Sequence, residues 1–226
     1  MPKITEAHRA LRRAQILDAA WRCFQREGVQ ATRMEHIIAE SGLAASALYR
    51  YFRNKDDVIL AAIETSMVGL SALLKPLVED QDEGGVPAFL ERAAASITAY
   101  SRRSGFDLMS IGIHGWSEAQ RSPTVKALLA RFYVAFRGRL AAKALRWREA
   151  GLLSPAAQPE DVSQMLMSLL LGTVAQAKLV DATDARAVAR GVSACAVAGP
   201  DQQLRQGLDS TSARQRSHPA KQPISP

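Results

Sequence analysis

The chain has 226 residues, 47% hydrophobic and 23% charged, which is ordinary for a soluble globular protein. Its 29 Lys and Arg against 22 Asp and Glu leave a net charge of +7, which favours an anionic partner such as nucleic acid or a membrane surface, although a basic surplus also simply aids solubility. The two cysteines, Cys23 and Cys195, are too few and too far apart for a disulfide scaffold or a zinc ribbon, and their apolar neighbours predict that both are buried.

Helical periodicity begins with a first helix predicted over 7–27. Its inward face is predicted from apolar residues that recur at spacings of three and four, namely Ala10, Ala14, Leu17, Ala20 and Phe24. Gly28 is the expected stop. Thr32 and Glu35 have the spacing of a capping box, which predicts that Thr32 caps the next short helix.

The second helix is predicted to carry Met34, Ile37 and Ile38 inward and to end at Ser41 and Gly42. A third helix is predicted over 45–51. A fourth is predicted from Asn54, whose side chain can cap it, to Leu74, just before Pro76. Val58, Ile59, Ala62 and Ile63 form its predicted inward face.

Longer helices are predicted over 87–103, 106–114, 123–150, 159–180 and 183–198. Strand signals are nearly absent, so the predicted fold class is all-α. Residues 200–226 are rich in Gln, Ser, Arg and Pro, which predicts a disordered tail. The predicted division is a head over 1–56, a helical body over 57–199 and the tail.

No catalytic or metal-binding motif is present: the four histidines show no H-E-x-x-H spacing, and there is no phosphate-binding loop or G-x-S-x-G. We therefore predict a protein that is not an enzyme and has no cofactor or metal. The apolar runs are too short for a membrane span, and the charged first residues lack the apolar region of a signal peptide. A cytoplasmic location without membrane contact is expected.

Residues 33–52 have the size of a DNA-binding helix-turn-helix, in which the second helix enters the major groove. Small residues at the start of the helix at 45–51 permit close approach, Tyr49 and Lys55 can donate to phosphates, and Arg50 can reach a phosphate or a guanine edge. Ten basic and six acidic residues lie within 1–56, so this segment holds +4 of the net charge. An ordinary helical hairpin with a polar face would show the same spacing.

The side chains of this region resemble those of the TetR family of transcriptional regulators. The resemblance covers about residues 10–60 and rests on Arg13, Ile16, Leu17, Ala19, Ala20, Phe24, Gly28, Thr32, Ile37, Gly42, Leu43 and the run Leu48-Tyr49-Arg50-Tyr51-Phe52-Arg53-Asn54-Lys55. Ile38, Ala44, Ser46 and Ala47 depart from the family's usual residues, and Ala44 lacks the side-chain acceptor of a cap. An operator sequence cannot be transferred from a relative.

The resemblance implies a three-helix DNA-binding head followed by a larger domain that binds a small molecule and forms a homodimer through its last two helices, here at about 159–180 and 183–198. The predicted DNA-binding residues are Thr32, Arg33, Met34, Ala44, Ala45, Ser46, Ala47, Tyr49, Arg50, Tyr51 and Lys55. The candidates for a mainly apolar effector pocket are Tyr100, Phe106, Met109, His114, Trp116, Phe132, Phe136, Met165 and Met167. Each pocket candidate is also a plausible core residue, and the two last helices would also fit burial within one subunit.

The resulting prediction is a sequence-specific repressor that a small-molecule inducer releases from a palindromic double-stranded DNA operator. An activator or an inducer-independent DNA binder with the same head remains an alternative. An enzyme with a helical C-terminal domain is the more distant one.

Overall fold

The structure, a computed structural model, describes residues 6–80, 84–103, 108–180 and 184–195. Within these ranges every regular element is an α-helix, which confirms the predicted all-α fold. The helices are α1 Glu6–Glu27, α2 Met34–Ser41, α3 Ala45–Tyr49, α4 Lys55–Glu79, α5 Gly85–Arg103, α6 Leu108–Ala119, α7 Pro123–Glu149, α8 Pro159–Leu179 and α9 Ala185–Cys195. The predicted tail over 200–226 lies outside the described residues.

The first hydrophobic core joins α1, α2 and α3 to the first half of α4 and the start of α7. Phe24, Ile37 and Leu48 are buried in it, one from each of the first three helices. On α4 the core extends through Met67, and on α7 it includes Leu129. The first core therefore includes residues beyond position 56, and the predicted head packs directly on α4 and α7.

The second core joins the distal half of α4 to α5, α7, α8 and α9. Phe89 of α5 lies edge to face with Trp147 of α7, with their ring centroids 5.8 Å apart. Leu140 and Leu166 are buried beside them. Helix α8 packs mainly on α7, whereas α9 packs mainly on α5.

Helices α4 and α7 take part in both cores and hold the head and the body together. The end of α4 is tied to α7 by two cations, because Arg146 donates to the Val78 carbonyl at 2.6 Å and the buried Lys143 donates to the Asp80 carbonyl at 2.9 Å. Cations at this position also suit the negative end of the helix dipole. In the described part of the chain, α4 alone is long and apolar enough to cross a membrane. Buried core helices of soluble proteins have the same length and composition.

Three predicted helix boundaries were wrong. Helix α4 does not end at Leu74, before Pro76, but continues through Pro76 to Glu79, more than one turn further. Helix α6 runs beyond His114 to Ala119. Its glycines serve packing rather than termination: a Cβ on Gly112 would lie 3.4 Å from Val174 of α8. Helix α3 ends at Tyr49, two residues earlier than predicted.

Burial also corrects several expectations. Ala10 and Ala14 are exposed, because the first turns of α1 extend beyond the helices that cover Leu17 and Phe24. Cys23 is buried as predicted, but Cys195 is exposed near the end of α9. Trp147 is buried against Phe89, although arginines flank it in the sequence.

Candidate nucleic-acid interface

The loop between α1 and α2 is closed by Thr32, which is fully buried. Its hydroxyl donates to the Gly28 carbonyl at 2.8 Å, and its backbone N–H donates to the same carbonyl at 3.2 Å. Gly28 has a φ of 81°, the left-handed conformation that favours glycine. The predicted Thr32–Glu35 capping box is wrong, because Arg33 stands at the N-cap position. Thr32 shapes the loop and presents no side-chain group to DNA.

The turn between α2 and α3 depends on Gly42 and Ser41. Gly42 has a φ of 66° and ends α2 as predicted. The buried Ser41 hydroxyl donates to the Ile38 carbonyl at 2.9 Å and accepts from the Leu43 N–H at 3.3 Å. These bonds determine where α3 starts. Ala44 is its N-cap and offers no side-chain acceptor, as predicted.

Helix α3 has one buried and one exposed face. Leu48 and Phe52 are buried in the first core and anchor the helix, and the guanidinium of Arg13 lies 5.7 Å from the centroid of the Phe52 ring. Of the predicted DNA-binding residues in this region, the exposed ones are Ala44, Ala45, Ser46, Tyr49 and Arg50. Ala47 and Tyr51 are half-buried. The exposed face therefore starts with small side chains and ends with a phenol and a guanidinium group.

The first two helices are held in register by a group of ion pairs. Arg22 and Arg26 of α1 both bind the carboxylate of Glu40 on α2, at 2.6 and 3.1 Å. Arg26 also pairs with Glu27, which in turn contacts His36 of α2. Hydrogen bonds from Arg22 and Arg26 hold the pKa of Glu40 below its usual value. These two arginines are thus engaged within the head.

Other cations of the head are not matched by a carboxylate. Among the residues described there, those without an ion pair are Arg12, Arg13, Arg33, Arg50 and Lys55. Arg33 and Arg50 are exposed at the N-cap of α2 and the C-cap of α3. Met34, also predicted at the interface, is half-buried against the first core. The basic surplus of the head therefore consists of side chains that no carboxylate pairs with, and Arg50 among them lies at the end of α3.

Lys55, predicted as a phosphate donor, has a role in the fold that sequence reasoning missed. Its ammonium group donates to the carbonyls of Val29 and Gln30, each at 3.1 Å, and so holds the α1–α2 loop against the start of α4. Two of its three N–H groups are used in this way. This engagement makes Lys55 a positioning residue for the loop.

We expect Lys55→Met to weaken DNA binding at every salt concentration without changing the slope of log affinity against log salt. The variant keeps most of the apolar stem of the side chain but no longer holds the α1–α2 loop. The head is then less well positioned on DNA, but no phosphate contact that releases counterions is lost. Gel-shift titrations at several salt concentrations measure the slope. Lys75→Met, on the exposed surface of α4, is the matched control and should bind like the wild type. A slope reduced by about 0.9 would instead assign Lys55 a phosphate contact.

The head also contacts α6 directly. Gln30, in the α1–α2 loop, donates to the carboxylate of Glu118 near the end of α6. Glu118 is buried. Sequence reasoning missed this link because the two residues are 88 positions apart and neither belongs to a motif. Any shift of α6 therefore reaches the loop that precedes α2.

Three of the predicted effector residues line grooves formed by residues that the structure describes. Phe132 and Phe136 line a groove of about 230 Å³ between α4 and α7, the α4–α7 groove. Met165 lines a separate groove of about 640 Å³ between α8, α9 and the start of α5, the α8–α9 groove. Met167 is buried in the second core. Phe106 lies outside the described residues, as does the side chain of Met109.

The remaining effector candidates belong to packed contacts. The Tyr100 hydroxyl lies over Gly69 of α4, where a Cβ would approach it to 2.8 Å. The Trp116 indole donates to the Tyr133 hydroxyl at 2.7 Å and joins α6 to α7. His114 is half-buried on α6, and burial lowers its pKa. Among the described residues, Phe132 and Phe136 thus share one groove and Met165 lines another.

Comparison with protein families identifies this arrangement. Residues 16–62 match the family described as bacterial regulatory proteins of the tetR family, and residues 89–200 match the C-terminal domain of BetI-type transcriptional repressors. The chain belongs to the TetR family of transcriptional regulators. The first match contains the helix-turn-helix described above, and the second contains α6, α7, α8 and α9.

Individual relatives of this TetR-family protein are distant. It is 24% identical over 180 residues to the transcriptional regulator YfiR of Bacillus subtilis, covering 80% of this chain and 86% of YfiR. It is 32% identical over 92 residues to the repressor Rv1474c of Mycobacterium tuberculosis, covering 37% and 49%. A solved complex of SmeT with triclosan superposes with a TM-score of 0.62 at 25% identity, covering 76% of this chain and 82% of SmeT. The chain is therefore a helix-turn-helix transcriptional regulator with repressors among its relatives.

Proposed function

We propose that the protein is a dimeric repressor that binds a two-fold symmetric operator and leaves it when a small molecule binds. The observation that carries the proposal is the exposed face of α3. Ala44, Ala45 and Ser46 allow the helix backbone to approach the bases, while Leu48 and Phe52 hold it to the head. The major groove is wide enough to admit such a helix.

Two exposed side chains of α3 would read and position the DNA. Arg50 is assigned to a guanine edge, because a guanidinium group can bind the O6 and N7 acceptors of guanine together. Tyr49, which is 46% exposed, is assigned to a phosphate through its hydroxyl. Arg33, at the start of α2, is assigned to the flanking backbone.

A second copy of the chain is proposed to cover α8 and α9. The α8–α9 groove is apolar, with Leu169 and Val192 on its walls, and Met165 beside them is 40% exposed. Leu179, at the end of α8, is 77% exposed. A two-fold interface presents the same surface from both subunits, and a symmetric dimer matches a palindromic site.

We expect Met165→Glu to produce monomers in sedimentation velocity, because it places a charge in an apolar interface. Operator affinity should fall with it, since two heads can no longer bind together. Ala142→Glu, at an exposed position of α7, is the control and should remain dimeric. A Met165→Glu protein that sediments as a dimer would remove this surface from the interface.

Release is proposed to act through two connections between body and head. Helix α4 is continuous from the first core to the second, and Gln30 binds Glu118 of α6. A ligand that binds better to a conformation with displaced α4 or α6 would shift the population away from the spacing that DNA requires. The SmeT complex is with a small molecule, triclosan, which supports a ligand of that size class for the body of this fold.

The experiment for this proposal is selection of bound duplexes from a random pool, followed by release of the best site with a panel of metabolites. We expect enrichment of one two-fold symmetric sequence, which at least one compound releases. Random duplex bound as tightly as the selected site would contradict sequence-specific regulation. A specific site that no compound releases would limit the proposal to a constitutive regulator.

A further inference from the structure

The α4–α7 groove combines an apolar floor with cations. Met67 is buried at its base, and Phe132 and Phe136 of α7 form one wall. Val68, on the α4 side, is 63% exposed and lines the same groove. The groove therefore presents apolar surface that nothing in the described part of the chain covers.

The register of the two helices places the charges along this groove. Arg139 of α7 donates to the Ser71 hydroxyl of α4 at 3.1 Å, and Arg146 of α7 donates to the Val78 carbonyl of α4. In each of these two pairs the partners are 68 positions apart in the sequence. The helices therefore run parallel with a constant offset, so Glu64 lies opposite Phe132, close to Arg131. Arg139 and Ser71 mark the other end of the groove.

The two ends of the groove differ in charge. Arg131 and Glu64 share one end and offset each other, although they form no ion pair. Arg139, at the other end, contacts the neutral Ser71 hydroxyl and no carboxylate among the described residues. Its guanidinium group is held in place and can bind a planar anion through its remaining N–H groups. A ligand with one anionic end and an apolar remainder matches this pattern.

We propose that the α4–α7 groove binds a small amphipathic carboxylate, with its headgroup on Arg139 and Ser71 and its apolar chain over Met67, Phe132 and Phe136. A volume of about 230 Å³ holds about eight methylene-sized groups at roughly 30 Å³ each. A carboxylic acid of medium chain length fits this size. The ligand would contact α4 directly. Its effect on DNA binding rests on the proposed function, whereas its binding to the groove does not.

The test is calorimetric titration of the full chain with octanoate, without DNA. We expect saturable binding that Arg139→Gln weakens by about tenfold or more, which is the usual loss for one charge-assisted contact. Arg137→Gln removes an exposed arginine of the same helix that contacts Gln164 instead, and it should bind octanoate like the wild type. Val68→Trp should block the groove and abolish binding.

Neutral and cationic probes of the same length separate charge recognition from simple partitioning. 1-Octanol and octylammonium should bind at least about tenfold more weakly than octanoate. Equal binding of the three probes, or equal octanoate binding by Arg139→Gln and the wild type, would overturn the proposal. A change in oligomeric state on Val68→Trp would also overturn it, because the groove would then be an interface between copies.

A final measurement separates this inference from the proposed function. Octanoate binding together with release of the selected duplex supports both. Octanoate binding to a protein that selects no specific duplex leaves the site intact and removes the regulatory function. Release of a selected duplex by other compounds, without any octanoate binding, removes the site alone.

Discussion

Replacing Ala45 with glutamate is expected to abolish operator binding while leaving the thermal stability unchanged or slightly higher. Ala45 is the first residue of α3 and is exposed, so the new carboxylate points away from the core. An acidic residue in the first turn is favourable for a helix, by about 0.3–1 kcal/mol. The same carboxylate would face the DNA phosphates at the point of closest approach. We expect affinity to fall by about 100-fold or more.

Thermal melts and gel-shift titrations of the Ala45→Glu protein measure the two effects separately. Ala142→Glu is the control, because Ala142 is exposed in the second half of α7, which packs in the second core rather than against the head. It adds the same charge and should change neither quantity appreciably. Near wild-type affinity for the Ala45→Glu protein would show that the start of α3 does not face DNA.

Replacing Phe24 with alanine is expected to lower the free energy of unfolding by about 3–5 kcal/mol. Phe24 of α1 is almost completely buried in the first core. Its ring lies edge to face with that of Trp21, with the ring centroids 5.6 Å apart. The substitution leaves a cavity and removes this aromatic pair. The first core extends from α1 to Leu129 of α7, so the loss should appear in one cooperative transition.

Urea unfolding followed by circular dichroism measures this loss. Phe132→Ala is the matched control, because its ring is half-buried at the edge of the first core and lines the α4–α7 groove. Its cost should be clearly smaller. A loss of under about 1 kcal/mol for Phe24→Ala would mean that the head contributes little to the stability of the whole chain.

Sequence periodicity predicted the fold well wherever one helix face was buried by its own neighbours. Val58, Ile59, Ala62 and Ile63 recur at helical spacing and are all buried in the first core. The same reasoning failed where burial depends on a distant element. Ala10 and Ala14 continue the stripe of Leu17, yet none of the helices that the structure describes covers that end of α1.

Local signals for helix ends were reliable at caps and misleading inside helices. Asn54 caps α4 as predicted, with its side chain accepting from the Asp57 N–H at 2.9 Å. The predicted end of α6 at His114 lies beside Gly112 and Gly115, which instead allow close packing on neighbouring helices. Only the position of Val174 and Leu129 reveals this, and those residues are far along the chain.

The candidate interface was predictable because its residues lie in one short segment with family-specific spacing. The effector residues stay a prediction, because an aromatic or methionine side chain has the same periodicity in a core and in a cavity. Phe132 lines a groove whereas Met167 is buried in the second core. The charges that distinguish one cavity from another, such as Arg139 beside Ser71, are brought together only by the packing of α4 on α7.

Dimethyl sulfate protection of the selected duplex tests the central claim, that α3 reads DNA in the major groove. The reagent methylates guanine at N7, which lies in the major groove, and adenine at N3, which lies in the minor groove. We predict protection of guanine N7 in two symmetric blocks separated by one helical turn or a multiple of it, lost in the Ala45→Glu protein. Protection confined to adenine N3, or unchanged N7 reactivity at saturating protein, would contradict the assignment of α3 as the reading helix.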